Sequence, residues 1–378
     1  MEPLGIKTLE CMVYIVRDLE RSRRFYMDHL DFAVAGTSTL EHESASGERT
    51  ILFQAHRCKV LVVAPLTEES RAAKWLKTHP AGVAELVFQV QDAAKALQLI
   101  ESRGGTPVCD VEDQVDGDGR ALKQFGITTP FQAVWRFVQR VDKGGLYLGI
   151  KSQELGEHNS LRFGHFDHIT SNFSTLSPAL LWMEHVMGFE RYWGINFHTV
   201  DVDPARTSGS GLKSVVMWDP NSGVKFANNE PQRPFFEASQ IHLFIQDLHS
   251  DGIQHAAMTV RDIIPAVRQM RGKGLRFMPT PASYYDMMPQ RIEEAGILRI
   301  DEDIETLREL EILIDGKAEH SYLLQIFLQE AAGLYEEADA GPFFYEVIQR
   351  KGDKGFGGGN FRALFESIER QQRAEGRI

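Results

Sequence analysis

Glu346 is the one carboxylate in an otherwise apolar, aromatic run, Phe343-Phe344-Tyr345-Glu346-Val347-Ile348. The run reads as a buried strand. An ionised carboxylate is not buried without a partner, because desolvation is too costly. A metal cation would supply that partner. Two histidines could complete the site: His168 in Phe166-Asp167-His168-Ile169, and His255 in Ile253-Gln254-His255-Ala256. Two imidazoles and one carboxylate match the facial triad of non-haem Fe(II) oxygenases, which leaves coordination positions open for substrate and O2. A lone histidine on a strand is more often a hydrogen-bonded core or surface residue than a ligand. What favours ligation here is that both histidines recur at the same place in a repeated unit.

That unit begins with a short apolar strand, passes through an acidic or polar helix start, and runs an amphipathic helix into Gly or Phe. The strands of the four copies cover residues 9–16, 82–90, 166–173 and 252–260. Asp18, Asp92 and Asp262 lie at helix starts, and Pro265 fits a first helical turn, where its missing N–H costs little. Alternating stretches after each helix read as further strands: 51–53, 59–63, 146–150, 214–217 and 322–327. Aligning the copies places Cys11 opposite His168 and Glu85 opposite His255. The late half therefore carries the metal ligands and the early half a copy without them. Two units per domain are expected, with the boundary in the polar stretch 151–159, giving domains 1–153 and 160–378. Residues 360–372 read as a last amphipathic helix, with Phe361, Leu364, Phe365 and Ile368 on one face. His165 and Asp167 alternate away from His168 and are expected on the opposite face of the strand, Asp167 in a structural role.

The chain has 378 residues, 43% of them hydrophobic and 25% charged, as in an ordinary globular protein of two domains. Its net charge of −12 argues against nucleic acid as a partner. No apolar run reaches the length of a membrane span, and the first residues lack a signal-peptide pattern. Cys11, Cys58 and Cys109 are scattered, as expected of reduced thiols in a cytoplasmic protein rather than of a disulfide frame or zinc cluster.

Several motifs together resemble the 4-hydroxyphenylpyruvate dioxygenase family. They are Gly252-Ile253-Gln254-His255, Leu323-Leu324-Gln325-Ile326-Phe327, the run from Glu346 through Gln349-Arg350-Lys351-Gly352 to Gly355-Phe356-Gly357-Gly358-Gly359-Asn360-Phe361, and the ending Ala363-Leu364-Phe365-Glu366-Ser367-Ile368-Glu369. The similarity spans nearly the whole chain, and its C-terminal motif is specific to this dioxygenase and its sister, hydroxymandelate synthase. It implies an α+β fold: four βαβββ vicinal-oxygen-chelate modules forming two open β-barrel domains, the first metal-free and the second catalytic, with a C-terminal lid helix.

The resemblance also implies His168, His255 and Glu346 as ligands of Fe(II). It implies polar contacts to substrate from Ser214, Asn229, Gln240, Gln254 and Gln325, and aromatic or closing contacts from Phe327, Phe344, Phe356, Asn360, Phe361 and Leu364. Strand alternation independently puts Leu323, Gln325 and Phe327 on one face, and Phe344, Glu346 and Ile348 on one face. The partners implied are a small aromatic 2-oxo acid and O2, in a homodimer or homotetramer. The activity implied is conversion of 4-hydroxyphenylpyruvate and O2 to homogentisate and CO2 in tyrosine and phenylalanine catabolism. The alternatives are 4-hydroxymandelate synthesis or oxidation of a related aryl-pyruvate; an extradiol dioxygenase and a non-catalytic aromatic-ligand binding protein stand further off. Asn229 favours ring hydroxylation, since hydroxymandelate synthases tend to carry an apolar residue there. Ala227, where the family often has proline, and the segments 228–236 and 329–341 depart from the family pattern.

Overall fold

Each of the four repeats folds as a strand, a helix and three antiparallel return strands. The structure is a computed structural model and describes residues 1–198, 211–233, 236–317 and 321–360. The first half contributes β1 (Ile6–Ile15), β2 (Ala33–Ser38), β3 (Glu48–Ala55), β4 (Cys58–Pro65), β5 (Gly82–Val90), β6 (Pro107–Val115), β7 (Ala121–Ile127), β8 (Val134–Arg140) and β9 (Ile150–Ser152). The second contributes β10 (Phe163–Asn172), β11 (Glu190–His198), β12 (Gly211–Trp218), β13 (Lys225–Pro231), β14 (Gly252–Val260), β15 (Leu313–Gly316), β16 (Tyr322–Phe327) and β17 (Phe344–Lys351). The first strand of every repeat pairs in parallel with its own last strand: β1 with β4, β5 with β8, β10 with β13, β14 with β17. The two repeats of a half meet through their first strands, β1 against β5 and β10 against β14. The result is two curled half-barrel sheets, ordered β6-β7-β8-β5-β1-β4-β3-β2-β9 and β11-β12-β13-β10-β14-β17-β16-β15.

The crossover helices start where the sequence places them. Asp18 Oδ1 accepts from the Arg21 N–H at 2.9 Å and Asp92 Oδ1 from the Lys95 N–H at 3.0 Å, each satisfying a donor the first helical turn leaves free. Asp262 occupies the same position without a side-chain capping bond. The helices Leu19–Arg23 and Ser177–Trp182 each run on into a wider π-helical turn, Arg24–His29 and Met183–Met187.

Period-two alternation then sorts every central strand into two faces. Met12, Phe88, Ile169, Phe226, Ala256, Met258, Tyr345 and Val347 join one apolar core that is continuous across both halves. There Trp135 stacks on Phe226 with ring centroids 5.0 Å apart, and the Tyr26 and Tyr345 hydroxyls meet at 2.7 Å. Residues one step along, His168, Asn229, His255 and Glu346, face a cavity instead.

One expectation changes. Residues 146–149 are not a strand: Leu148 makes a single bridge to Asp116, Gly149 turns the chain at φ 65°, and Ile150–Ser152 pairs at the edge beside β2. The divergent stretch 329–341 folds as the short helix Ala331–Tyr335 and a 3-10 turn Ala338–Ala340, tied to the first half by the Arg21–Glu337 ion pair and a bond from the Ala81 N–H to the Asp339 carbonyl. The expected final helix lies outside the described residues, apart from Asn360, which ends a 3-10 turn. Among the described residues no helix is long and apolar enough to cross a membrane.

Candidate metal centre

His168, His255 and Glu346 come from β10, β14 and β17, which are neighbours in the second sheet. Register brings them together: His168 pairs with Ala257, and Ala257 in turn pairs with Glu346, while His255 lies two residues before Ala257 on the same face. Glu346 Oε2 is 3.3 Å from His168 Nε2 and 3.4 Å from His255 Nε2. One ligand atom from each of the three lies within 4.8 Å of the others, and all three side chains are buried.

The outer nitrogen of each imidazole is held. His168 Nδ1 is 2.9 Å from Asp167 Oδ1, and His255 Nδ1 is 3.0 Å from Gln254 Oε1. An acceptor on Nδ1 keeps its proton there and leaves the Nε2 lone pair for a metal. Asp167 is fixed in turn by Arg350, whose Nε and Nη2 donate to its two oxygens at 2.6 Å each. Arg350 Nη1 also donates to the carbonyls of Asp353 and Gly355. Asp167 is therefore not a structural residue facing away, as alternation implied. β10 is irregular between Phe166 and His168, and that bulge swings Asp167 back beside the ligand.

Charge is balanced without a metal, but incompletely. Burial opposes the charge of Glu346, yet the facing imidazoles outweigh it and hold the carboxyl down at about 2. Burial resists protonation of His168, yet Glu346 and Asp167 raise it to about 9; at His255 burial wins and lowers it. Burial also opposes the charge of Asp167, but Arg350 and His168 hold it well below the usual carboxylate range. Glu346 Oε1 is buried with no hydrogen-bond partner. A buried acceptor left open beside two imidazole lone pairs suits a divalent cation, so the donor set fits a metal.

The centre opens into a cavity. Asn229, Gln240, Gln254, Gln325, Phe327, Phe356 and Asn360 all line it, together with Thr170, Leu212, Ala227, Ile241 and Gly357. The Phe356 ring sits 4.9 Å from the His168 ring. Only glycine fits at position 357: its φ is 64°, and a Cβ would fall 2.6 Å from Gln325 Nε2. Gln240 opens the helix Gln240–Leu248, capped by Ser239, rather than standing on a strand. Asn229 donates to Asn172 Oδ1 at 3.1 Å, and its own Oδ1 is left without a partner.

Two expected contacts are placed differently, and two more fall outside the described residues. Ser214 lies across from Asn229 on β12, buried with its hydroxyl unpartnered, but it does not line the cavity. Phe344 also stays outside the cavity lining and stacks on the His255 ring at 4.8 Å, fixing the ligand from behind. Phe361 and Leu364 lie outside the described residues.

The model of the Glyoxalase/Bleomycin resistance protein/Dioxygenase superfamily matches residues 8–137 and 165–289, one match in each half. A 4-hydroxyphenylpyruvate dioxygenase from Caenorhabditis briggsae is 30% identical over 374 residues, 97% of this chain and 92% of that protein. Another from Dictyostelium discoideum is 31% identical over 364 residues, covering 94% and 95%. A mutant of 4-hydroxymandelate synthase from Streptomyces coelicolor shares the fold with a TM-score of 0.80 over 97% of this chain and 99% of its own, at 22% identity. With duplicated halves, a clustered metal-ligand set in the second half and relatives alike from end to end, the chain belongs to the 4-hydroxyphenylpyruvate dioxygenase family of that superfamily and is an enzyme of this kind.

Proposed function

We propose that the protein is an Fe(II)-dependent dioxygenase that converts 4-hydroxyphenylpyruvate and O2 to homogentisate and CO2. The observation that carries this reading is the joining of the His168, His255 and Glu346 cluster to a cavity walled by Phe327 and Phe356 and lined by the amides of Asn229, Gln240 and Gln325. An aromatic 2-oxo acid has the matching parts: a chelating head, a flat apolar ring and a polar hydroxyl.

His168, His255 and Glu346 would hold the ion. When bound, iron supplies the redox chemistry toward O2 and an anchor for the 2-oxo acid head. The chain's own residues do the rest. Asp167 and Gln254 keep the two imidazoles turned with Nε2 inward. Phe327 and Phe356 hold the ring in a fixed plane, and Gln240, Gln325 and the free Asn229 oxygen receive its hydroxyl end. Gln254 and Asn360 bound the cavity. The substrate's carboxyl carbon leaves as CO2. One O2 oxygen ends in the new carboxylate and the other on the ring, so no external reductant is needed.

The test is to supply the iron-loaded protein with 4-hydroxyphenylpyruvate and O2 and to identify products by mass spectrometry. Homogentisate with one CO2 per O2 is expected. 4-Hydroxymandelate as the main product would overturn the ring-hydroxylation part, and O2 uptake without CO2 would overturn the whole reading.

A further inference from the structure

The first half has a cavity of its own, about 370 Å³, and several of its wall positions correspond to positions at the metal centre. Register fixes the equivalences. Cys11 pairs with Val87 and Val87 with Arg136, as His168 pairs with Ala257 and Ala257 with Glu346. Glu85 lies two residues before Val87, as His255 does before Ala257. Gln124 pairs with Val138, two residues beyond Arg136, as Gln325 pairs with Ile348, two beyond Glu346. Thr50 pairs with Val63, which holds the place of Asn229, and Ser214 pairs with Asn229 itself. Arg71 opens a helix after the capping Ser70, as Gln240 does after Ser239.

The metal ligands have thus become Cys11, Glu85 and Arg136, which cannot form the same cation site: a guanidinium occupies the carboxylate's place. The amide at Gln124 and the hydroxyl at Thr50 persist. Positive charge now comes from the protein. Arg136 Nε donates to Glu85 at 3.0 Å, and Arg71 pairs with Glu85 and, at 3.3 Å, with Glu48. Both side chains keep exposed surface, 46% for Arg71 and 24% for Arg136, and both line the cavity. Gln124 is buried in the same wall. His42 stands in the same wall with its pKa lowered, chiefly by burial. The remaining walls include Val13, Leu61, Val63, Val87, Val138 and Leu146. Two guanidiniums and an amide on the wall of one cavity offer donors that suit a carboxylate and a neighbouring polar group.

We propose that the first half holds a second, metal-independent binding site for a small organic carboxylate with an apolar body. The ligand's carboxylate takes Arg71 in exchange for Glu48 and shares Arg136, its body lies on the aliphatic walls, and Gln124 and Thr50 meet a hydroxyl or carbonyl on it. The duplicated pocket kept its shape and exchanged a metal for arginines as the source of positive charge. This does not depend on which product the second half makes.

The test uses the iron-loaded enzyme under argon with 4-hydroxyphenylacetate, which lacks the 2-oxo group and is not turned over. Binding is followed by calorimetry and equilibrium dialysis. Two sites per chain are expected. Arg71→Gln and Gln124→Leu should each weaken one of them at least tenfold and spare the other, which Gln240→Ala should weaken in its turn. Gln124→Leu removes no charge pair, so it remains decisive if Arg71→Gln fails to fold by circular dichroism. A single site that responds to Gln240→Ala but not to Gln124→Leu, or no binding, would overturn the proposal.

Discussion

Asp167 and Arg350 form a two-bond pair, 2.6 Å on each carboxylate oxygen, and one of those oxygens also takes the Nδ1 side of His168 at 2.9 Å. The pair joins a metal ligand on β10 to the end of β17, and Arg350 carries it on to the carbonyls of Asp353 and Gly355, at the start of the glycine run. Through this link one interaction orients the imidazole and anchors the segment that carries Phe356 and Gly357 into the cavity.

Asp167→Asn should therefore act on the metal before it acts on the fold. The amide oxygen can still accept from His168, but the charge that fixes Arg350 and raises the basicity of the imidazole is gone. Loss of such a supporting group costs about 10–100-fold in metal affinity. Competition for iron against a chelator, with the melting temperature as control, measures it. Unchanged affinity would remove Asp167 from the site.

Asn229→Leu tests how the ring end is held. The free Asn229 oxygen faces the cavity, and a buried hydrogen bond to a substrate hydroxyl is worth about 1–3 kcal/mol. By that measure kcat/KM for 4-hydroxyphenylpyruvate should fall about 10–100-fold, with less loss for phenylpyruvate, which has no hydroxyl to lose. Equal losses for both substrates would mean the residue acts only through the sheet.

Tyr26→Phe probes the shared core. It removes one hydroxyl of the 2.7 Å pair and leaves that of Tyr345 buried and alone. A cost of about 1–3 kcal/mol is expected from the midpoint of urea unfolding at constant slope. A second, separate transition appearing in the variant would instead mean that the halves unfold independently.

Thiol chemistry separates the three cysteines. Cys11 and Cys58 are fully buried, and burial pushes both thiols far up, whereas Cys109 is only half-buried on the edge strand β6. A thiol reagent at pH 8 should label one cysteine quickly and the other two only after unfolding. Rapid labelling of all three, or of none, would contradict this packing.

The repeats are legible because each first strand is apolar and three of the four crossover helices open on an aspartate, and matching repeats locate both histidines. What alternation missed has local causes. The bulge between Phe166 and His168 turned Asp167 toward the site, so counting by twos misplaced it. Gln240 was placed in the pocket but not on its helix, although Ser239 followed by Ile241, Phe244, Ile245 and Leu248 is a capped helical pattern. Ser214 and Phe344 were picked as contacts, yet each reaches the cavity through a neighbour, Asn229 and His255 respectively, a distinction of depth that a linear pattern does not carry. The parallel pocket of the first half was hidden because Arg136 shares no chemistry with Glu346; only the pairing register reveals that they correspond.

The ligand set is tested most directly by measuring iron in purified His255→Ala after loading with Fe(II) and desalting. The arrangement predicts well under one tenth of an iron per chain and no turnover, against about one iron in the parent protein, because two donors do not hold the ion against washing. One tightly retained iron per chain with normal turnover would contradict it.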